Sequence, residues 1–565
     1  MEIEAKVMYR HATTVVRSTM RNTEPEPTEV TFAMVMPEPA LVSNFSILAD
    51  GEENVALVMD RKEARDAYDD PEEMGGTVGL LEEAIVPRVR NFTITVIVEA
   101  DQEVTFYLTY EERLERRNGS YNYRVYLETL KEVDSLKVNV DLKESLPLKE
   151  LCTSLDNKAR SCKGVLPETS IDRRGGGSEA QISYEPSNTR YLEESLNILY
   201  SVVSPKHEVQ IVCGHFIHTF RPDDRNYRTK HVTFVLDTGG SMVLGNRLEQ
   251  LKIAMVEMLD NNLGENDFFS IIDFNTGVET LQHEGNKVFG ASEENKLKAK
   301  EFVNSFNASG GTNINDALLA GIDLATESTD LVGNNTLKMI VFLTDGDPTV
   351  GERNVDEIIK NVYLRNTEKV SILSLGFGSE ANFKLLQRIS GLTDSLSKMI
   401  YDGSDAASQL EAFFSRTSQP TLSSVKLKYD GNVDQMSLTK HEEGLMFAGE
   451  EIVIMGRLGD ADGPLDVEVK ADSRDGLVTE VTALFEKYPA DNRTETECAL
   501  MKKTYAWLQV KVSSSIVLII IINAIIFTII VNIIIVIIIF NIIIVIIFRL
   551  ARTCQAGDVM GLSMR

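Results

Sequence analysis

Between residues 231 and 416, short runs that are apolar at every position alternate with stretches whose apolar residues recur at helical spacing. HVTFVLD is followed by NRLEQLKIAMVEMLDN, DFFSIIDF by ENKLKAKEFVNSF, and NINDALLAGIDLATES by KMIVFLTDG. NVDEIIKNVYLR, VSILSLGFG, NFKLLQRISG, KMIYD and AASQLEAFFSR continue the pattern. A strand apolar on both faces must be covered on both faces, and helices between such strands supply the cover. The pattern therefore predicts a doubly wound parallel α/β domain over 229–418.

The flanking chain carries a different period. TEVTFAMVMP, NFTITVIVEA and EVTFYLTYEE alternate apolar and polar residues, as half-buried antiparallel strands do. Strand-like pieces continue through YNYRVYLETL, LKVNVDLK and VQIVCGHFIHTF, and DRKEARDAYDDPEE reads as a short polar helix. The Arg-Arg-Gly-Gly-Gly-Ser stretch at 173–178 reads as a flexible loop. After Pro420 the alternation returns in SSVKLKYDG, EIVIMGRL and LDVEVKA, closed by a helix around ETECALMKKTYAWLQ. The expected organisation is a β-rich domain over 1–130, a β-rich connection over 131–228, the α/β domain, and a β-rich segment with a terminal helix over 419–512. An isoleucine-rich run over 513–548 and a tail over 549–565 complete it.

The apolar run Ile516–Phe548 reads either as a membrane span or as a translated simple repeat, since it is nearly all isoleucine. As a helix it would exceed the ~30 Å hydrocarbon core. Arg549 and Arg552 at its far end would then face the cytoplasm. The formal charge of −28, from 57 Lys and Arg against 85 Asp and Glu, is spread along the chain and argues against a nucleic-acid partner. Five cysteines without a CxxC pair exclude a disulfide scaffold and suggest no zinc site, although Cys152 and Cys162 are near enough in sequence to close a small loop. The first residues hold no apolar leader segment. Against that, sequons at Asn44, Asn91, Asn118, Asn307, Asn334 and Asn492 hint at secretion.

The stretch FVLDTGGSM, at 234–242, admits two kinds of chemistry. Asp-Thr-Gly after an apolar strand is how an aspartic protease presents a carboxylate, but that chemistry needs a second such loop to share a proton, and none exists. The helical spacing of RLEQLKIAMVEML directly afterwards also opposes a protease hairpin. In a doubly wound fold, loops at the carboxyl ends of the strands converge on one crevice. Asp237, Ser241, Thr312 (in SGGTNIND) and Asp345 (in FLTDGD) all fall on such loops. Their carboxylate and hydroxyl oxygens suit a hard cation, Mg²⁺ or Ca²⁺, with water in the remaining positions. A place left open would let an acidic group of a partner bind the metal. A bland alternative is that Asp237 merely caps the following helix.

FVLDTGGSM, GGTNINDALL, FLTDGDPTVGE and ILSLGFG resemble the von Willebrand factor type A domain of inter-alpha-trypsin inhibitor heavy chains. VSNFSILADG, KEARDAY, GLLEE, NFTITVIVEAD and VTFYLTYEERLERRNGSY resemble the vault/inter-alpha-trypsin (VIT) domain that precedes it there. GEEIVIMGRL and KTYAWLQ resemble the segment C-terminal to the type A domain in the same family, so the likeness covers about residues 1–510. The resemblance implies a secreted, non-enzymatic extracellular-matrix or adhesion-type protein with light-chain or hyaluronan association, not itself a protease inhibitor. The family links hyaluronan through an Asp-Pro-His-Phe context that this sequence lacks, so the chain as given is not expected to be linkable. Where the family's metal loop reads Asp-x-Ser-x-Ser, Gly239 stands at the first serine and brings no oxygen. The site is therefore expected to be weakened, with a water in the gap. The alternative is an intracellular VIT/von Willebrand A assembly module without metal-dependent binding.

Other signals carry less. His215 and His218 are three apart on a strand and face opposite ways, which suits structural histidines. Gly310-Gly311 lacks the Gly-Lys-Ser/Thr of a phosphate loop, and no nucleophile elbow stands out.

Overall fold

The computed structural model describes residues 1–37, 40–49, 51–55, 80–86, 89–127, 133–155, 164–187, 189, 195–203, 205–224, 226–333, 335–378, 380–401, 406–439, 441–459, 464–485, 494–495, 497–506 and 508–509. The expected KEARDAY helix and the isoleucine-rich run lie outside these residues. Among the described residues no helix is long and apolar enough to cross a membrane.

The period-two stretches at the N-terminus form strands. An eight-stranded sheet runs in the order Thr169–Arg174, Glu179–Tyr184, Lys137–Lys143, Glu2–Met8, His11–Arg21, Glu103–Arg113, Leu41–Ala49, Glu52–Val55. A three-stranded sheet (Thr28–Pro37, Val89–Val98, Leu80–Val86) shares its core, where Phe32 stacks on Phe106 at 5.2 Å and Phe45 lies 5.0 Å from Phe92. The stretch expected to be a flexible loop at 173–178 is instead a tight hairpin turn. Arg173 and Arg174 belong to the strand that pairs antiparallel with Glu179–Tyr184, and only Gly175–Gly177, all at positive φ, turn the chain. Three glycines close the hairpin because the left-handed region costs them nothing.

The alternating segment folds as a doubly wound domain. Strand Lys230–Asp237 is central, hydrogen-bonded in parallel to Phe268–Phe274 on one side and Leu337–Thr344 on the other; Ser371–Phe377 and Ser397–Ile400 extend the sheet. Alternate residues of the central strand enter different cores. Val232, Phe234 and Leu236 pack with helix Arg247–Asn261, while Val235 packs with helix Ile314–Glu327. Burial on both faces is why these runs are apolar throughout.

The β segments before and after this domain are joined in space. Strands His207–Val212 and His215–Phe220 form a hairpin, and the second pairs antiparallel with Ile452–Leu458, more than 200 residues later. A further sheet (Glu442–Phe447, Pro420–Gly431, Leu465–Ser473, Gly476–Phe485) shares a core with it through Phe216, Tyr429, Ile454 and Val467. A disulfide between Cys213, in the hairpin turn, and Cys498 in the terminal helix staples the C-terminal part to this platform. Cys152 is also disulfide-bonded.

Candidate functional site

The site is built at the carboxyl edge of the parallel sheet. Asp237 is the last residue of the central strand and Asp345 directly follows the neighbouring strand Leu337–Thr344. Thr312 stands two residues before helix Ile314–Glu327, and Ser241 lies in the 3-10 turn Gly240–Asn246. Asp237, Thr312 and Asp345 are all buried. Adjacent strand ends bring Asp237 and Asp345 together, and Ser241 follows on the turn after the first of them, but Thr312, expected on a loop after a strand, instead lies between helices Glu293–Asn304 and Ile314–Glu327, whose connection reaches over the same edge.

Asp237 is held by short-range donors. Its Oδ1 accepts the Gly239 N–H at 2.7 Å, and its Oδ2 accepts the Thr344 hydroxyl. Asp237 does not cap the long helix, whose N-cap is Asn246 at the far end of the 3-10 turn. Burial pushes the Asp237 carboxyl up to about 7; the Thr344 and Gly239 hydrogen bonds pull it down, and the nearby Asp345 charge pushes it further up. Asp345 accepts the Ser241 hydroxyl on Oδ1 at 2.6 Å and the Arg247 guanidinium on Oδ2 at 3.0 Å. Thr312 is fixed through its backbone: its N–H donates to the Thr349 hydroxyl at 2.8 Å and its carbonyl accepts the Thr349 N–H at 3.0 Å. Thr238 turns away from this group, giving its hydroxyl to Asp273 and to the Phe274 carbonyl.

Gly239 lies between Asp237 and Thr312. A Cβ at this position would lie 2.9 Å from Asp237 Oδ1 and 2.9 Å from Thr312 Oγ1. Position 239 thus points straight at the oxygens of two other candidate ligands, so a serine there would present its hydroxyl to the same spot. Asp237 and Thr312 at that cradle, with the Ser241–Asp345 pair on the neighbouring strand end, make an all-oxygen donor set of the kind that suits a hard divalent cation. Among the described residues no group of three or more His, Cys, Asp or Glu side chains could hold a metal, so a site here would depend on the hydroxyls as well.

Two residues of this group, Thr344 and Arg247, were not singled out from the sequence. Thr344 sits beside a motif residue and could have been suspected. Arg247 opens a helix, and nothing local distinguishes it from a solvent-facing arginine. The histidines lie elsewhere: His218 is buried with its Nδ1 2.7 Å from the Tyr429 hydroxyl and its Nε2 3.0 Å from His207 Nδ1. Burial, together with His207 and Arg221, depresses His218 to about 3, which keeps it neutral.

Comparison with known proteins places both domains. The model of the vault protein inter-alpha-trypsin domain matches residues 1–110, and that of the von Willebrand factor type A domain matches residues 231–416. Human inter-alpha-trypsin inhibitor heavy chain H2 is 31% identical over 496 residues, covering 85% of this chain and 50% of that protein. Heavy chain H3 of Mesocricetus auratus is 30% identical over 475 residues, covering 82% of this chain and 52% of that one. Heavy chain H4 of Bos taurus is 30% identical over 476 residues, covering 81% and 50%. The chain spans about half the length of the curated relatives it matches.

Proposed function

The chain belongs to the inter-alpha-trypsin inhibitor heavy-chain family, and from that premise we propose that it is an extracellular matrix- or adhesion-type binding protein. In this reading the α/β domain holds Mg²⁺ or Ca²⁺ on Asp237, Ser241, Thr312 and Asp345, and a coordination position left to solvent accepts an acidic group of a protein or matrix partner. The role is binding, not catalysis and not protease inhibition. Light-chain and hyaluronan association belong to the same proposal, by family likeness alone.

The observation that carries the reading is the convergence at Gly239, where a single added carbon would touch the oxygens of both Asp237 and Thr312. A bound dication would offset the cost of keeping Asp237 charged out of water. An oxidising, extracellular setting is supported by the Cys213–Cys498 disulfide, because such bonds persist outside the reducing cytosol. The sequon asparagines Asn44, Asn118 and Asn307 are exposed, as glycan attachment demands.

Calorimetric titration of Mg²⁺, Mn²⁺ and Ca²⁺ into the full chain, with Asp237→Ala beside it, tests the cation. The reading expects saturable binding by the native chain and none by the variant. Equal heats from both would remove the cation and leave the second reading, a metal-independent assembly module, which the existing Ser241–Asp345–Arg247 contacts favour.

A further inference from the structure

We infer that Arg247 is an internal cation that competes with the divalent ion for Asp345, so that the site loads metal only when this guanidinium is drawn away. The inference rests on the cation-site reading above and concerns its regulation.

The contact is built rather than incidental. Arg247 Nη1 lies 3.0 Å from Asp345 Oδ2, and the two side chains are 4% and 0% exposed. The other oxygen of Asp345 is taken by Ser241 at 2.6 Å, so two of the four candidate ligands are engaged with each other and with the arginine. The guanidinium also has a seat. Gly378, just past strand Ser371–Phe377, has φ +83°, and a Cβ there would fall 2.2 Å from Arg247 Nη2 and 2.5 Å from its Cζ. Only a residue without a side chain leaves that space, so the seat and the glycine go together.

Electrostatics favours this pairing only while the dication is absent. Arg247 is the first residue of helix Arg247–Asn261, where the helix dipole disfavours a positive charge. Asp345 offsets that penalty. An arginine cannot lose its proton to escape the conflict, and a buried charge stripped of its partner is costly. When a dication arrives, it and the guanidinium compete for the oxygens of Asp345. Either the guanidinium leaves Asp345, or the ion binds weakly against it. An acidic group from a partner that coordinated the ion would tip that competition toward the metal, which couples metal binding to partner binding.

The test is Mn²⁺ titration into the full chain, by calorimetry and by loss of the free-ion electron paramagnetic resonance signal, for the native chain, Arg247→Gln, Arg247→Lys and Asp237→Ala. Competition predicts that Arg247→Gln binds Mn²⁺ about tenfold more tightly than the native chain, with Asp237→Ala binding none. Arg247→Lys should fall between, because a compact ammonium reaches Asp345 less well than the planar fork. If Arg247→Gln does not fold, as judged by its melting curve, the lysine variant carries the same comparison. Unchanged or weaker binding by the arginine variants, with the native chain still binding through Asp237, would overturn the competition and leave the cation site standing. No Mn²⁺ uptake by any of them would overturn both.

Discussion

Arg10 and Asp237 are both charged groups taken out of water, but the surroundings answer them differently. Arg10 lies between two carboxylates: it forks onto Glu208 at 3.1 and 2.9 Å, and its Nε is 3.5 Å from Glu144. Arg221 links Glu208, at 2.7 Å, to Glu451, at 2.9 Å, and the hydroxyls of Tyr121 and Tyr200 donate to Glu451 and Glu144. Asp237 is met by the Thr344 hydroxyl and by the backbone amides of Gly239 and Asp345. In the first cluster each of the three carboxylates meets a guanidinium, and the cluster ties the N-terminal strands to the platform around the α/β domain. Burial pushes both Glu144 and Asp237 upward, but of the two it is Glu144 that has a guanidinium beside it to pull it back. A carboxylate paired with a cation reads as architecture, and one met by neutral donors as a candidate place for a ligand.

The sharpest way to break this contrast is to remove a cation from the first cluster. Arg10 sits in a two-residue turn with Tyr9, at φ values of 65° and 51° that non-glycine residues rarely adopt. Tyr9 and Arg10 are pinned there by Glu497 and Glu208. Arg10→Met leaves Glu144 without its guanidinium and the turn without its anchor. A loss of about 3–5 kcal/mol is expected, read by chemical denaturation of the full chain. A loss below about 1 kcal/mol would show that the cluster is not architectural in this sense.

Acidity sharpens the same contrast with opposite signs. Burial would raise Glu208, but Arg10, Ser145 and Arg221 together hold it at about 2. Its folded value is depressed, so its stabilisation is complete above its ordinary 4.5 and disappears as pH falls through 2. Asp237 is raised from 3.8 to about 7, so in the metal-free chain its cost is absent below pH 4 and grows to its full size above pH 7. In chelator at pH 8, Asp237→Asn should therefore be about 2–4 kcal/mol more stable than the native chain, and the two should converge near pH 4. A difference that stays constant across that range would mean that Asp237 does not titrate as the buried, cation-free group described.

How far such features could be read in advance depends on the range of the interaction. Strand and helix periods are local, so the doubly wound domain was legible from runs such as HVTFVLD and KMIVFLTDG. The closeness of Asp237 and Asp345 was legible too, because strand ends in that topology share one edge, whereas Thr312 arrives on a connection between two helices that the period did not foretell. The pairing of His215–Phe220 with Ile452–Leu458 was not, since a ladder across that much chain leaves no periodic trace. The Cys213–Cys498 bond escaped for the same reason. The glycine run at 175–177 suggested mobility, yet glycine marks permitted φ, not motion, and a hairpin uses it fully. Arg247 was invisible because its role depends on the empty seat at Gly378, contributed by a distant strand end.

The smallest expected effect falls on Gly239. A serine here adds a hydroxyl beside the proposed ligands, but the Cβ would stand 2.9 Å from Asp237 Oδ1 and Thr312 Oγ1, and 3.2 Å from the Gly311 carbonyl. Two of these neighbours are side-chain oxygens, which can give a little, and the third is a backbone carbonyl a few tenths of an ångström farther off. Such overpacking costs about 1–3 kcal/mol in a close-packed interior. Gly239→Ser should accordingly be less stable than the native chain in chelator by about 1 kcal/mol, at the low end of that range. Saturating Mg²⁺ should return that loss, since an added hard donor strengthens the site whose empty form it strains. The discriminating measurement is the difference in melting with and without Mg²⁺, compared between the two chains. A larger metal-induced rise in Gly239→Ser means that position 239 faces a working cation site. An equal lowering in both conditions means that the serine only crowds a cluster that Arg247 has already completed.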